Sequence, residues 1–181
     1  MARLPYADPD APLAKPLVDR IVAERGSLLH LYRMLLHSPP LAEGWLTYLT
    51  AVRQRCTLGG AIRELVIMRV AGINGAQYEA DQHAPIALRV GVTPEQLDKL
   101  ADWASHDVFT TAQRAALAMT DAMTRDVRVP DALFAEARRH FGDRELVELV
   151  ATIATYNMVS RFLEALGIHS GDPAASADTP R

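Results

Sequence analysis

The sequence predicts an all-α fold, and three observations predict it. Apolar residues recur at helical spacing through nearly all of the span 16–169. No stretch alternates apolar and polar residues as a half-buried strand would. Helix start and stop signals punctuate the chain, including Thr93-Pro94-Glu95-Gln96 and Thr110-Thr111-Ala112-Gln113, each with a Thr cap and a Gln three residues later.

The elements follow in order. Pro5, Asp8, Pro9 and Asp10 keep residues 1–15 extended, as an N-terminal arm. Leu28, Leu31, Tyr32, Leu35 and Leu36 form a helical stripe. Ser38-Pro39-Pro40 opens a second helix carrying Leu41, Trp45, Tyr48, Leu49 and Val52. The chain breaks at Thr57-Leu58-Gly59-Gly60. From Ala61 to Ala71 it is apolar on most sides, which marks a buried helix, and Asn74-Gly75 ends it. The next helix runs from about Ala76 to Val90 and stops at Gly91. Helices are then expected from Thr93, from Thr110 to about Arg125, and from Pro130 to Gly142. Asp143 caps the last, which carries Leu146, Leu149, Val150, Ile153, Tyr156, Val159, Phe162 and Leu163 and ends at Gly167. A single domain of roughly six to eight helices is expected over 16–169. Residues 170–181 lack large apolar side chains and are expected to be a disordered tail. The tetrapeptide Arg63-Glu64-Leu65-Val66 recurs as Arg144-Glu145-Leu146-Val147, through an old duplication or by chance.

Composition narrows the function. The 181 residues are 49% hydrophobic and 23% charged, and the net charge is -3. That leaves no basic surplus for a phosphate backbone, so no nucleic-acid partner is expected. Cys56 is the only cysteine, so an intramolecular disulfide is impossible and a cysteine-based zinc site is not expected. The N-terminus has no apolar core of a signal peptide, and no uninterrupted apolar run is long enough to span a bilayer. A cytoplasmic protein without a membrane partner is expected.

The chemistry-bearing stretch is Asn74-Gly75-Ala76-Gln77-Tyr78-Glu79-Ala80-Asp81-Gln82-His83. Glu79 and His83 lie four residues apart, one turn apart on one helix face. Such a carboxylate can fix the tautomer of the imidazole and raise its basicity, which suits a general acid or base. The alternative is an exposed pair worth a few tenths of a kcal/mol. Pro85 lies in the same helix and is expected to kink it beside this turn. Glu64 sits among Ile62, Leu65, Ile67 and Met68. Burying it unpaired would cost several kcal/mol, so it needs a partner. Arg63 or Arg69 could serve locally, and His83 could serve across the Asn74-Gly75 turn.

At these residues the sequence resembles the carboxymuconolactone decarboxylase family, which includes the alkylhydroperoxidase D group. The resemblance runs from about Leu41 to Leu166. It rests on Arg63-Glu64-Leu65-Val66, Asn74-Gly75-Ala76-Gln77-Tyr78-Glu79, His83-Ala84-Pro85-Ile86-Ala87 and Gly91-Val92-Thr93-Pro94-Glu95. Peroxide-reducing members carry Cys-x-x-Cys, with a Glu upstream and a His downstream. Glu64 and His83 match those positions, whereas Ala76 and Glu79 stand where the cysteines would be. Glu at the second position is similar to the decarboxylase-like branch. Peroxide reduction by this route needs an attacking thiolate and a resolving thiol, and neither is present at the motif. Cys56 matches no motif position and reads as a small buried residue.

The resemblance therefore implies cofactor-free, metal-free acid–base catalysis on a small lactone or a related carboxylated, conjugated compound. Glu64, Glu79 and His83 are the candidate catalytic residues. A metal site built from the same three is a weaker alternative, and a non-catalytic helical assembly module is another. Arg69, Arg89 and Arg161 are candidate cations for a substrate carboxylate, with a second chain as another source. Family members form trimers, hexamers or larger rings, so a homo-oligomer is implied. The apolar surface around 61–71 and 146–163 is compatible with that.

Overall fold

A computed structural model describes residues 1–173. Among them are nine α-helices and no strand. They are α1 (Lys15–Arg25), α2 (His30–Leu35), α3 (Pro39–Thr50), α4 (Gly60–Asn74), α5 (Gln77–Arg89), α6 (Pro94–Lys99), α7 (Thr111–Arg125), α8 (Asp131–Ala137) and α9 (Asp143–Leu166). A π-helical turn, Ala51–Arg55, follows α3, and a 3-10 segment, Leu100–Ser105, follows α6. The count exceeds the expectation through α1, which the sequence reading did not assign although Leu17, Val18, Ile21 and Val22 recur at helical spacing. The helix expected from Pro130 to Gly142 is shorter, ending at Ala137.

The chain divides into two compact units. The first comprises Met1–Gln54 with the chain from Leu163 onward, and the second comprises Arg55–Phe162. In the first unit, α1 and α2 pack on α3, and Ile21, Tyr32 and Leu46 are fully buried. Arg25 joins the three helices: it donates to the Tyr32 hydroxyl (3.1 Å), the Leu46 carbonyl (3.2 Å) and Thr50 Oγ1 (2.8 Å). The tail expectation fails at residues 170–173. Asp172 is buried and accepts hydrogen bonds from the Tyr6 hydroxyl at 2.7 Å and the His169 amide at 3.1 Å. Residues 174–181 of that expected tail lie outside the described residues.

The second unit is organised around α4, which packs on α5 and α7. Its core joins Leu65, Ala87, Val92, Leu100, Phe109 and Leu117. Both predicted capping boxes form. Gln96 Nε2 also donates to Gln113 Oε1 at 3.0 Å, which ties the two boxes together. Helix α5 runs continuously through Pro85, which lies inside it.

By length and composition alone α9 could cross a membrane, but 56% of its most apolar stretch is buried inside the protein. It is a core helix, and it carries polar groups inward: Glu148, Thr152, Thr155, Asn157 and Ser160 are all buried. Glu148 Oε2 accepts from the Thr57 amide (2.7 Å), the Thr57 hydroxyl (2.9 Å) and the Leu58 amide (2.8 Å). It thereby fixes the loop that enters α4, whose own cap, Gly59, has no side chain to do so. Hydrogen bonds to a charged group contribute roughly 1.5–3 kcal/mol. Glu148→Ala should therefore lower the unfolding free energy by about that amount in urea titration, and a loss within error of zero would remove this anchoring role.

Candidate active site

Three elements build the site. Helix α4 carries Glu64 in its second turn. Gly75, at φ +68°, then supplies the left-handed residue that ends α4, and the Ala76 amide closes the turn on the Ala71 carbonyl at 2.9 Å. The chain re-enters helix at Gln77, so Glu79 falls in the first turn of α5, where the positive end of the helix dipole favours negative charge. His83 follows one turn later. Helix α9 brings Tyr156 against it.

The side chains converge. His83 Nδ1 lies 2.7 Å from Glu64 Oε2, and His83 Nε2 lies 3.4 Å from Glu79 Oε1. Arg63 Nε donates to Glu64 Oε1 at 3.2 Å. Of the three partners considered for Glu64 in the sequence, Arg63 and His83 both bind it, one on each oxygen, while Arg69 binds Asp121 instead. Glu64 is 1% exposed, His83 4% and Glu79 5%, so this is an internal cluster and the exposed-pair alternative is excluded. The Tyr156 ring meets the imidazole edge-on, with centroids 5.1 Å apart and planes at 88°.

Burial pushes the Glu64 carboxyl upward, but the hydrogen bond and charge of His83, together with Arg63, outweigh it. The net shift is below the ordinary value of 4.5, so Glu64 is an anion at neutral pH. An ionised carboxylate only accepts, so Nδ1 carries its hydrogen and donates it to Glu64. The other face of the ring, Nε2, is turned to Glu79.

The remaining candidates are placed elsewhere. Arg69 is clamped: both of its ends reach Asp121 at 2.6 Å, and Nη1 donates to the Leu100 and Ala101 carbonyls. Arg161 folds back on Asn157, one turn earlier in α9. Arg89 is exposed at the end of α5. Cys56 is half-buried, and its thiol is pushed up by burial and by Glu148, against the pull of Arg144 and Arg63, which makes it a poor thiolate source. Ala76 is 1% exposed, so a methyl group fills the first motif position. The repeated tetrapeptide does not repeat the site: Glu145 caps the Gly142 amide at 3.2 Å.

Sequence reading missed two contributors. Tyr156 reads as one more core residue of the α9 stripe. Asn157 links three helices: its side-chain oxygen accepts from Asn74 at 3.1 Å, and its nitrogen donates to Thr124 Oγ1 at 3.0 Å. A polar Asn amid apolar neighbours was the available signal for the second, and nothing in the sequence marked the first.

The depressed Glu64 value sets a pH dependence. Pairing with His83 and Arg63 stabilises the fold fully above 4.5, the unfolded value, and that contribution is lost as pH falls through the lower folded value. Glu64→Gln removes the charge. The stability gap between wild type and this variant, read from urea unfolding, should be widest above about pH 5 and narrow in acid below 4.5. A gap that widens in acid would contradict the assigned state of Glu64.

Comparison with known proteins places this geometry. Residues 39–122 match the carboxymuconolactone decarboxylase family. The chain is 29% identical over 116 residues to the uncharacterised protein YdfG of Bacillus subtilis, covering 63% of this chain and 79% of that one. Among solved structures, it is similar to a peroxidase-related protein with an alkylhydroperoxidase AhpD core from Ralstonia eutropha, at a TM-score of 0.80 and 20% identity, over 94% and 93% of the two chains. It is similar to the debrominase Bmp8 in complex with 2,3,4-tribromopyrrole, at 0.78 and 20%, over 94% and 95%. A protein of unknown function from Agrobacterium tumefaciens, provisionally described as the antioxidant defence protein AhpD, is 25% identical at a TM-score of 0.70, over 77% and 95%. The Glu64–His83 pairing across the Gly75 turn lies inside the stretch that matches the carboxymuconolactone decarboxylase family, and the solved structures share the helical fold.

Proposed function

We propose that the protein is a cofactor-free acid–base enzyme of the carboxy-lyase type, acting on a small lactone or a related carboxylated, conjugated compound. The observation that supports this most is the buried Glu64–His83–Glu79 chain, with Nδ1 on Glu64 at 2.7 Å and Nε2 facing Glu79 at 3.4 Å. With Nδ1–H committed to Glu64, a single proton can move between Nε2 and the Glu79 carboxyl. This pair can then serve as a proton store.

In the reaction the bond to the departing carboxylate breaks and carbon dioxide leaves. Its electron pair is delocalised into the conjugated carbonyl system. Glu79 or His83 delivers the proton that quenches the resulting carbanion, and solvent returns it. Glu64 supports the imidazole and stabilises it while it is cationic. The Nε2–Glu79 separation is long for a hydrogen bond, and such contacts tighten around a bound substrate.

The antioxidant reading attached to some similar proteins needs thiols at positions that here hold Ala76 and Glu79. The half-buried Cys56, with its raised thiol, does not replace them. By analogy with the family, the working form is a homo-oligomer. The outward face of α9 supports this: Val147 is 68% exposed and Met158 41%.

A screen of lactones and carboxylated dienes, followed by loss of the substrate chromophore, tests the reading. His83→Ala and Glu79→Gln should each lower kcat by roughly 10²–10⁴-fold, while Cys56→Ser leaves it unchanged. Turnover of peroxide that persists in Cys56→Ser, or decarboxylation untouched by His83→Ala, would overturn it. Light scattering should give a mass of several chains, and a concentration-independent mass near 19.9 kDa would refute the assembly.

A further inference from the structure

We propose that Tyr156 is a positioning residue for His83, and that its aromatic ring, not its hydroxyl, keeps the imidazole turned so that both nitrogens face carboxylates. The significance for catalysis rests on the acid–base reading above, but the structural inference does not.

An imidazole turns easily about its Cβ–Cγ bond, because that torsion is broad and nearly two-fold. A half-turn would exchange Nδ1 with Cδ2 and Nε2 with Cε1. Carbon edges would then face Glu64 and Glu79, and the chain of proton carriers would be cut. The bond to Glu64 opposes the turn at one atom only. The Tyr156 ring supplies a second constraint, standing at 88° to the imidazole with centroids 5.1 Å apart. A ring packed this way blocks the sweep of the imidazole out of its plane.

Such a constraint works only if Tyr156 itself cannot retreat. Its side chain is 1% exposed, so it has no open space to enter. The next residue, Asn157, fixes this turn of α9 to the end of α4 through Asn74 (3.1 Å) and to α7 through Thr124 (3.0 Å). Asn157 Nδ2 also returns to the Ile153 carbonyl at 3.0 Å. Helix α9 therefore presents the ring from a backbone that is tied to the helix carrying Glu64.

The test reads the imidazole directly and needs no substrate. In protein labelled with 15N-histidine, His83 is identified as the resonance lost in His83→Gln. The exchange of its Nδ1–H with solvent is then measured. Tyr156→Phe keeps the ring and should leave the exchange rate within about twofold of wild type. Tyr156→Leu removes the ring and should speed exchange by about tenfold or more in a protein of unchanged helical content. If the Leu variant does not fold, Tyr156→Met fills the space and is judged by the same criterion. Slow exchange in the ringless variant overturns the proposal. So does fast exchange in Tyr156→Phe, which would assign the role to the hydroxyl. Failure of the lactone screen leaves these rates untouched, so the two ideas fail separately. Where turnover is found, the ringless variant should lose kcat far more than it changes KM.

Discussion

The cluster depends on one interaction, the buried hydrogen bond between Glu64 and His83. A carboxylate in an apolar helix is costly to ionise, and the cost is several kcal/mol if nothing answers the charge. Here the imidazole answers one oxygen and the Arg63 guanidinium the other. The compensation is complete enough that the carboxyl sits below its ordinary value in spite of its burial. Breaking either contact would leave a charge inside α4, so the motif is under structural constraint as well as chemical constraint. The same bond fixes the tautomer of His83, and through it the direction in which Nε2 can exchange a proton.

That bond spans two helices, and its precision comes from a third. Helix α9 places polar side chains along a buried length where an apolar stripe was expected to dominate. Glu148 secures the loop before α4, and Asn157 secures the residues that end it. Both ends of the helix that carries Glu64 are thus tied to one long element. Tyr156 lies between those anchors and meets His83 from the side. An active site built on helices with such support loses less to local motion than one built on loops.

Much of this was legible in the sequence. Helices were marked by periodicity and by the two Thr–Gln capping boxes, because those signals are local and the structure honours them. Glu64, Glu79 and His83 were visible because a charge in an apolar helix and an i,i+4 pair are both local anomalies. What was not legible was distal. The Arg69–Asp121 clamp joins residues far apart in sequence, so Arg69 looked available when it was not. The docking of Asp172 on Tyr6 also arises from a contact between chain ends.

The replacement of sulfur at the motif is best understood through what surrounds it. A thiol at the position of Glu79 would face His83 Nε2, which could take its proton and leave a nucleophile. A carboxyl there faces the same nitrogen, but it is already acidic and is a weak nucleophile toward an O–O bond. The exchangeable proton is then the useful product of the pair. Under the proposed reading, buried neighbours that would activate a thiol hold and release a hydrogen ion instead. Ala76 fits this change, since a buried methyl group demands no partner and leaves no second redox centre. The carboxylate–imidazole pairing of Glu64 and His83 could act on either group at position 79, and a carboxyl there is why the chemistry proposed here moves protons and not electrons.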